Sequence, residues 1–321
     1  KQVITLSGID EKLIYELLNK YGSYSYASLV LKENLDYESA LKLYIQSADL
    51  PGITISKGSK RKYLTNNASA LSLSHILGYV SKLSEEQYYN LKNSGYLLFD
   101  NIGKAGIEKI YEKELRGQYG QQKIEVDAKG HEINILAENK PMPGNNLILS
   151  LDVEAQFKLE QLIKDTLNKK NKQRAAAIAL DPRNGSVLAL VSWPAFDNND
   201  FAGGIDEKKY NNYLKNLNQP LFNRAISGSY PSGSTIKLIL AAAALQEKII
   251  TPQTTFLSSG GIRVGVWSFK DWQANGHGLT NIVKAIAWSV NTFFYYIGGG
   301  YENFTGLGVA KISEYMDYFN L

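Results

Sequence analysis

Between Glu138 and Asn146 the chain reads ENKPMPGNN, with two prolines, one glycine and three asparagines in nine residues. Proline lacks a backbone N–H and restrains the residue before it, and glycine and asparagine favour turns. Neither a helix nor a strand is expected to run through such a stretch. It divides the 321 residues into modules of 1–145 and 146–321, each of ordinary domain size. Hydrophobic residues make up 44% of the chain and charged residues 21%, enough for both modules to build a core.

The first module is irregular. IDEKLIYELLNKYG reads as a short amphipathic helix with Leu13, Ile14, Leu17 and Leu18 on one face and Gly22 as its stop. DYESALKLYIQ reads as a second helix, and LPGITISKGSKRKYL as a strand around a basic turn of Lys57, Lys60, Arg61 and Lys62. That turn is expected to be solvated. LSEEQYYNLKNSG and AGIEKIYEKELRGQYG are polar helices, the second closed by Gly117, and QKIEVDAKGHEINIL is a hairpin turning at Lys129-Gly130.

The second module is more regular. Asp152 is placed to cap a helix whose core face uses Ala155, Leu159, Leu162, Ile163 and Leu167. AAAIALDPRNGSVLALVS is a hairpin of two apolar strands, both read as buried, turning over Asp181–Gly185. A polar, Asn-rich stretch over 196–223 leads to YPSGSTIKLILAAAAL, then to strands and turns as far as Gly278, a helix from about Thr280 into WSVNTFFYYIG, and a last helix in LGVAKISEYMDYF.

Several chemistries are excluded or weakened. With no cysteine the chain has no disulfide, no Cys-based zinc site and no thiol nucleophile. A net charge of +4 is too diffuse to argue for nucleic acid. The longest apolar run, Ile236–Leu245, falls well short of the ~18–20 residues of a membrane span. No signal peptide opens the chain, so either the protein is cytoplasmic or an anchor lies upstream of Lys1. Asp271 and His277 are two candidate metal ligands, but no third is evident and no metal is expected.

Ser234 and Lys237 are the leading candidates for catalysis. Three residues apart at a helix start, they share a face near free backbone N–H groups. A serine hydroxyl becomes a nucleophile when a base takes its proton, and a lysine held neutral by burial is such a base. The S-x-x-K spacing alone is weak, because it also occurs at Ser39/Lys42 and Ser59/Lys62. An N-cap serine followed by a solvated lysine has the same spacing. The long apolar run after Ser234 favours a buried helix, in which a lysine needs a reason. Ser289 and Asn291 form the chain's one S-x-N, 55 residues beyond Ser234. Two polar side chains in a short connection can face one cleft, Ser289 to relay a proton and Asn291 to hold a carbonyl. A helix-end serine with an asparagine cap is the competing account. Trp267 and Trp272 either wall a groove or, the favoured reading, pack in the core.

S-x-x-K followed by S-x-N resembles the motif set of penicillin-binding proteins and serine β-lactamases. RAISGSYPSGSTIK resembles the nucleophile region of class B penicillin-binding proteins, IALDPRNGSVLALVSWPAFDNNDF the hairpin before it, and LSLDVEAQFKLEQLI the first helix of their catalytic domain. GIEKIYEKELRG resembles a signature of their amino-terminal pedestal. SHILGYV and NGHGLTNIVKAIAWSVNTFFYYIG are most similar to the branch called penicillin-binding protein 2, which serves cell elongation.

The resemblance implies an α/β (α+β) multidomain fold. A mixed pedestal occupies 1–145, and an incomplete transpeptidase domain, an antiparallel sheet with helices, occupies 146–321. It implies a serine D,D-transpeptidase acting on peptidoglycan stem peptides of a lipid-linked precursor, and a β-lactam target. Ser234 would be the nucleophile, Lys237 the base, Ser289 the relay and Asn291 the substrate contact, with no cofactor. It further implies a membrane-embedded elongation glycosyltransferase as partner through the pedestal, and a place on the outer face of the bacterial cytoplasmic membrane with the anchor upstream. The family's third motif, Lys or His followed by Ser/Thr and Gly, does not follow Asn291, so the resemblance implies a fragment or truncated product. A serine β-lactamase or D,D-carboxypeptidase is disfavoured by the large first module. A non-catalytic sensor or scaffold of the same fold is the alternative from outside the enzymes.

Overall fold

A computed structural model describes residues 2–21, 29–47, 50, 52–56, 58–64, 70–127 and 132–321. Gly22, Lys57 and the Lys129-Gly130 turn lie outside the described residues. Two compact units divide the chain, 1–228 and 229–321.

The first unit opens with α1 (Gln2–Ser7), α2 (Glu11–Tyr21) and α3 (Tyr37–Gln46), the last capped by Asp36 accepting from the Ser39 amide. The apolar face of α2 is only partly covered, with Leu13 and Leu18 exposed. The strand expected across LPGITISKGSKRKYL does not form; its described residues lie outside any helix or strand. Arg61 is not free in solvent, because it pairs at 2.8 Å with the buried carboxylate of Glu108.

Next come α4 (Leu73–Leu77), β1 (Val80–Lys82), α5 (Glu85–Leu91), β2 (Asn101–Gly103), α6 (Gly106–Ile110) and α7 (Glu112–Leu115). Ser84 and Gln87 close a reciprocal capping box on α5. The single helix expected over 105–117 breaks at Tyr111 into α6 and α7. β1 and β2 pair antiparallel, and the end of α4 meets the start of α6 so closely that a Cβ on Gly78 would stand 1.8 Å from the Ala105 carbonyl oxygen. β3 (Gln121–Val126) and β4 (Glu132–Asn139) form the expected hairpin.

The unit ends with α8 (Val153–Lys169), β5 (Ala175–Leu180), β6 (Val187–Trp193), α9 (Glu207–Lys215) and α10 (Arg224–Ser227). Asp152 caps α8 by accepting from the Ala155 amide. The covered face of α8 differs from the apolar pattern: Leu162 is exposed, whereas Gln156 and Glu160 are fully buried. The reason is the neighbouring strand. Leu190 of β6 presents its N–H and C=O away from β5, and the Gln156 amide accepts from one and donates to the other, both at 2.7 Å. Glu160 accepts the Ser72 amide. β5 is half-buried along one side and exposed along the other, where Ile178 and Leu180 lie, so the expectation of two buried strands holds for β6 alone. The Asn-rich stretch packs around rings, Phe201 stacking on Tyr79 and Tyr213.

The second unit holds a 3₁₀ turn (Gly233–Ile236), α11 (Lys237–Gln246), β7 (Thr255–Ser258), β8 (Gly261–Val264), β9 (Trp267–Lys270), β10 (Gly278–Asn281), α12 (Ile282–Ala287), α13 (Asn291–Gly299) and α14 (Gly308–Tyr318). β7 pairs with β10 and β8 with β9, both antiparallel. One core joins Ala241, Ala243 and Ala244 of α11 to Ile282, Val290, Phe293, Ile297 and Tyr315. Alanine brings α11 close to α13, while Leu238 and Ala242 face outward. Trp267 and Trp272 are 71% and 68% exposed, so neither packs in the core.

Candidate active site

Gly233 takes a left-handed φ of 56°, turning the chain into the 3₁₀ segment that carries Ser234. The α-helix proper starts at Lys237, whose side chain runs into the buried side of the unit. Opposite it, α12 ends at Ala287 and α13 begins at Asn291, leaving the S-x-N triplet as the connection. Ser289 sits at φ 52°, a backbone conformation L-residues rarely adopt. That turn brings its hydroxyl back toward Ser234.

All four residues singled out from sequence meet here. Lys237 Nζ donates to the Ser289 carbonyl oxygen at 2.8 Å, to Ser289 Oγ at 2.9 Å and to Asn291 Oδ1 at 2.5 Å. Ser289 Oγ lies 2.8 Å from Ser234 Oγ. The path from the amine to the Ser234 hydroxyl therefore runs through Ser289. Asn291 is not a helix cap: its Nδ2 donates to the Lys270 carbonyl at 3.0 Å, which points its oxygen at Lys237. Ser234 makes no capping bond either; the residues flanking the 3₁₀ turn and α11 carry no side-chain cap.

The partners of Lys237 decide what its amine can do. The Ser289 carbonyl and Asn291 Oδ1 only accept hydrogen bonds. A neutral NH₂ gives both its protons to these two and keeps its lone pair for the Ser289 hydroxyl, which can then take a proton from Ser234. Burial lowers the Lys237 pKa below the usual 10.5, and the negative charge of Asp271 partly opposes that shift. The two other S-x-x-K pairs lack this setting. Lys42 lies exposed and bonds Glu38 at 2.6 Å, which raises its pKa. Ser59 and Lys62 lie in an irregular segment of the first unit.

Asp271 and His277 both reach Ser258. Ser258 Oγ donates to Asp271 Oδ2 at 2.7 Å, and His277 Nδ1 lies 3.3 Å from Ser258 Oγ. No group of three or more His, Cys, Asp or Glu side chains suited to a metal occurs among the described residues. Asp271 also accepts from the Thr292 amide and hydroxyl at 2.9 and 2.6 Å. Burial raises the Asp271 carboxyl, and the hydrogen bonds from Thr292 and Ser258 outweigh it to leave the pKa below its ordinary value. Sequence reasoning gave neither Ser258 nor Thr292 a part; only the contact of β7 with the start of α13 reveals them.

Two family models match the chain: the penicillin-binding protein dimerisation domain over residues 1–149, and the penicillin binding protein transpeptidase domain over 175–321. The peptidoglycan D,D-transpeptidase MrdA of Escherichia coli K12 is 36% identical over 303 residues, covering 92% of this chain and 45% of the relative. Penicillin-binding protein 3 of Bacillus subtilis is 32% identical over 249 residues, covering 76% of this chain and 34% of the relative. The chain thus spans under half the length of these curated relatives. Among solved structures, the Helicobacter pylori PBP2–MreC complex matches with a TM-score of 0.75 at 30% identity, covering 98% of this chain and 58% of that one. Pseudomonas aeruginosa PBP2 in complex with WCK 5153 matches with a TM-score of 0.61 at 28% identity, covering 82% and 51%. The two domain matches in this order, together with these relatives, make the chain a class B penicillin-binding protein of the penicillin-binding protein 2 kind, with a dimerisation domain followed by part of a transpeptidase domain.

Proposed function

We propose that this chain carries the acylation centre of a peptidoglycan D,D-transpeptidase that cross-links stem peptides during cell elongation. The observation that carries the reading is the hydrogen-bonded run from Ser234 through Ser289 to Lys237 and Asn291. Ser234 Oγ attacks the carbonyl of the penultimate D-alanine in a D-Ala–D-Ala end. Its proton passes to Ser289, whose own proton goes to neutral Lys237. The same relay returns a proton to the departing D-alanine amine, leaving an ester on Ser234. An amine from a neighbouring stem then attacks that ester and forms the cross-link, its proton passing through Lys237 and Ser289 to the Ser234 oxygen as the ester bond breaks, which frees Ser234. Asn291 holds the donor peptide while fixing the lysine. None of these steps calls for a metal or organic cofactor.

Similarity to MrdA supports a stem peptide of a lipid-linked precursor as substrate and β-lactams as acylating inhibitors. It also supports a site on the outer face of the cytoplasmic membrane, reached through an anchor elsewhere in the protein; no helix among the described residues is long and apolar enough to cross a membrane. One matched structure is described as a peptidoglycan synthase complex that coordinates polymerization and crosslinking. This supports a membrane-embedded glycosyltransferase as partner of the 1–145 pedestal, with 146–321 as the catalytic side. A fluorescent penicillin should label the full-length protein covalently, and Ser234→Ala should abolish the label. No labelling of the wild type would sink the reading.

A further inference from the structure

The first turn of α13 carries Asn291, yet nothing local caps it. Val290 stands at its N-cap and offers no side-chain bond. The leading N–H groups of a helix need partners, and a negative charge is favoured there. Here the partner comes from another element. Lys270 ends β9, and its carbonyl accepts from Asn291 Nδ2. The next residue, Asp271, accepts from the amide and hydroxyl of the next residue along, Thr292. Two consecutive residues on one side thus hold two consecutive residues on the other. Asp271 is only 7% exposed, and its second oxygen also takes the Ser258 hydroxyl of β7. The Asp271 backbone is itself tied down, its N–H donating to the Gly260 carbonyl at 3.0 Å.

We propose that Asp271 is a positioning residue for acylation: its carboxylate clamps the start of α13 against the end of β9 and so sets the Asn291 amide and the Ser289 turn against Lys237. The clamp has a direct chemical consequence. If the first turn of α13 frays, Asn291 Oδ1 leaves the lysine, and the amine loses one of the two acceptors that occupy its protons. The lone pair then no longer has a fixed direction toward Ser289. Asp271 touches none of the reacting atoms; it acts through Thr292 and Asn291.

This inference rests on the acylation reading above, and its test separates the two. The full-length protein is compared with Asp271→Asn, Thr292→Val and Thr292→Ser, using a fluorescent penicillin to separate the non-covalent affinity K from the acylation rate constant k2. Amide hydrogen exchange is followed across α13 and α14. Asp271→Asn should lower k2 by about 10- to 100-fold, the scale of an ångström-sized misplacement, with K within about twofold. Exchange of the Thr292 amide should rise at least about tenfold, the α14 amides staying as in the wild type. Thr292→Val keeps the amide but loses the hydroxyl and should fall partway; Thr292→Ser should restore the rate. Wild-type k2 in Asp271→Asn overturns the proposal, as does exchange rising throughout the second unit with K lost alongside k2, the mark of a merely structural role. A wild type that takes no label overturns the transpeptidase reading itself, and this inference with it.

Discussion

At the scale of single residues, Lys237 explains why three identical spacings have different chemistry. Lys42 has a carboxylate neighbour and water, and both favour its charge. Lys237 has two neutral acceptors, a hydroxyl and little water. Burial outweighs the distant Asp271 and moves its pKa down from 10.5. The sign gives a pH prediction. The reactive form is the neutral amine, so the acylation rate should rise with pH along a single limb centred below 10.5 and then level off. Stopped-flow labelling across pH 6–10 checks it, and a rate falling over that range contradicts the base assignment. Lys237→Arg keeps a cation that does not deprotonate in proteins. Acylation should drop about 10²- to 10⁴-fold, the usual contribution of a general base. The same shift bears on folding. The folded state binds fewer protons here than the unfolded state between the lowered pKa and 10.5, so this group's contribution to stability improves as pH rises through that window.

At the scale of elements, polar residues on helices complete the strands they lie against. β6 pairs with β5 along one edge, and on the other its backbone is met by side chains and loop rather than by a strand. Gln156 supplies both halves of a ladder bond to Leu190, and the Asp152 amide donates to Leu188. Gln156→Leu fits by size but leaves the Leu190 N–H and C=O unpaired in a buried setting. It should cost about 2–4 kcal/mol, read by urea unfolding; a loss below about 1 kcal/mol would mean that water takes the amide's place. The junction between the end of α4 and the start of α6 gives a steric counterpart. Gly78 has φ 73° and a backbone oxygen where a Cβ would sit, so Gly78→Ala should destabilise the first unit by at least about 2 kcal/mol in the same measurement.

At the scale of the whole molecule, every residue of the candidate acylation centre belongs to the unit 229–321. The link into it is exposed: Tyr230 is 64% accessible, and residues 228–232 lie outside any helix or strand. Exposed, unpaired backbone is where proteases enter first. Subtilisin, which has broad specificity, should therefore cut first within 228–230 under native conditions, the Tyr230–Pro231 bond itself being resistant, and mass analysis of the first fragments checks it. First cuts within the ring cluster of Phe196 and Phe201 would instead show that the first unit opens more readily than this link.

The amino-acid order by itself singled out the four residues that meet at the candidate site and most of the elements that carry them. The S-x-x-K and S-x-N spacings, the cap at Asp152 and the apolar runs of α11 and α13 are local patterns, and the chain folds them locally. Tertiary structure decided what no local pattern encodes. Ser289, not Lys237 directly, meets Ser234, because a left-handed turn 55 residues away aims its hydroxyl there. The strand expected across residues 50–64 finds no partner strand among the described residues, and a strand exists only where another backbone takes its hydrogen bonds. Trp267 and Trp272 are apolar by composition yet exposed, and Gln156, Glu160 and Asp271 are polar yet buried. Burial depends on which distant groups arrive to satisfy a side chain, and that is fixed only when the units close on themselves.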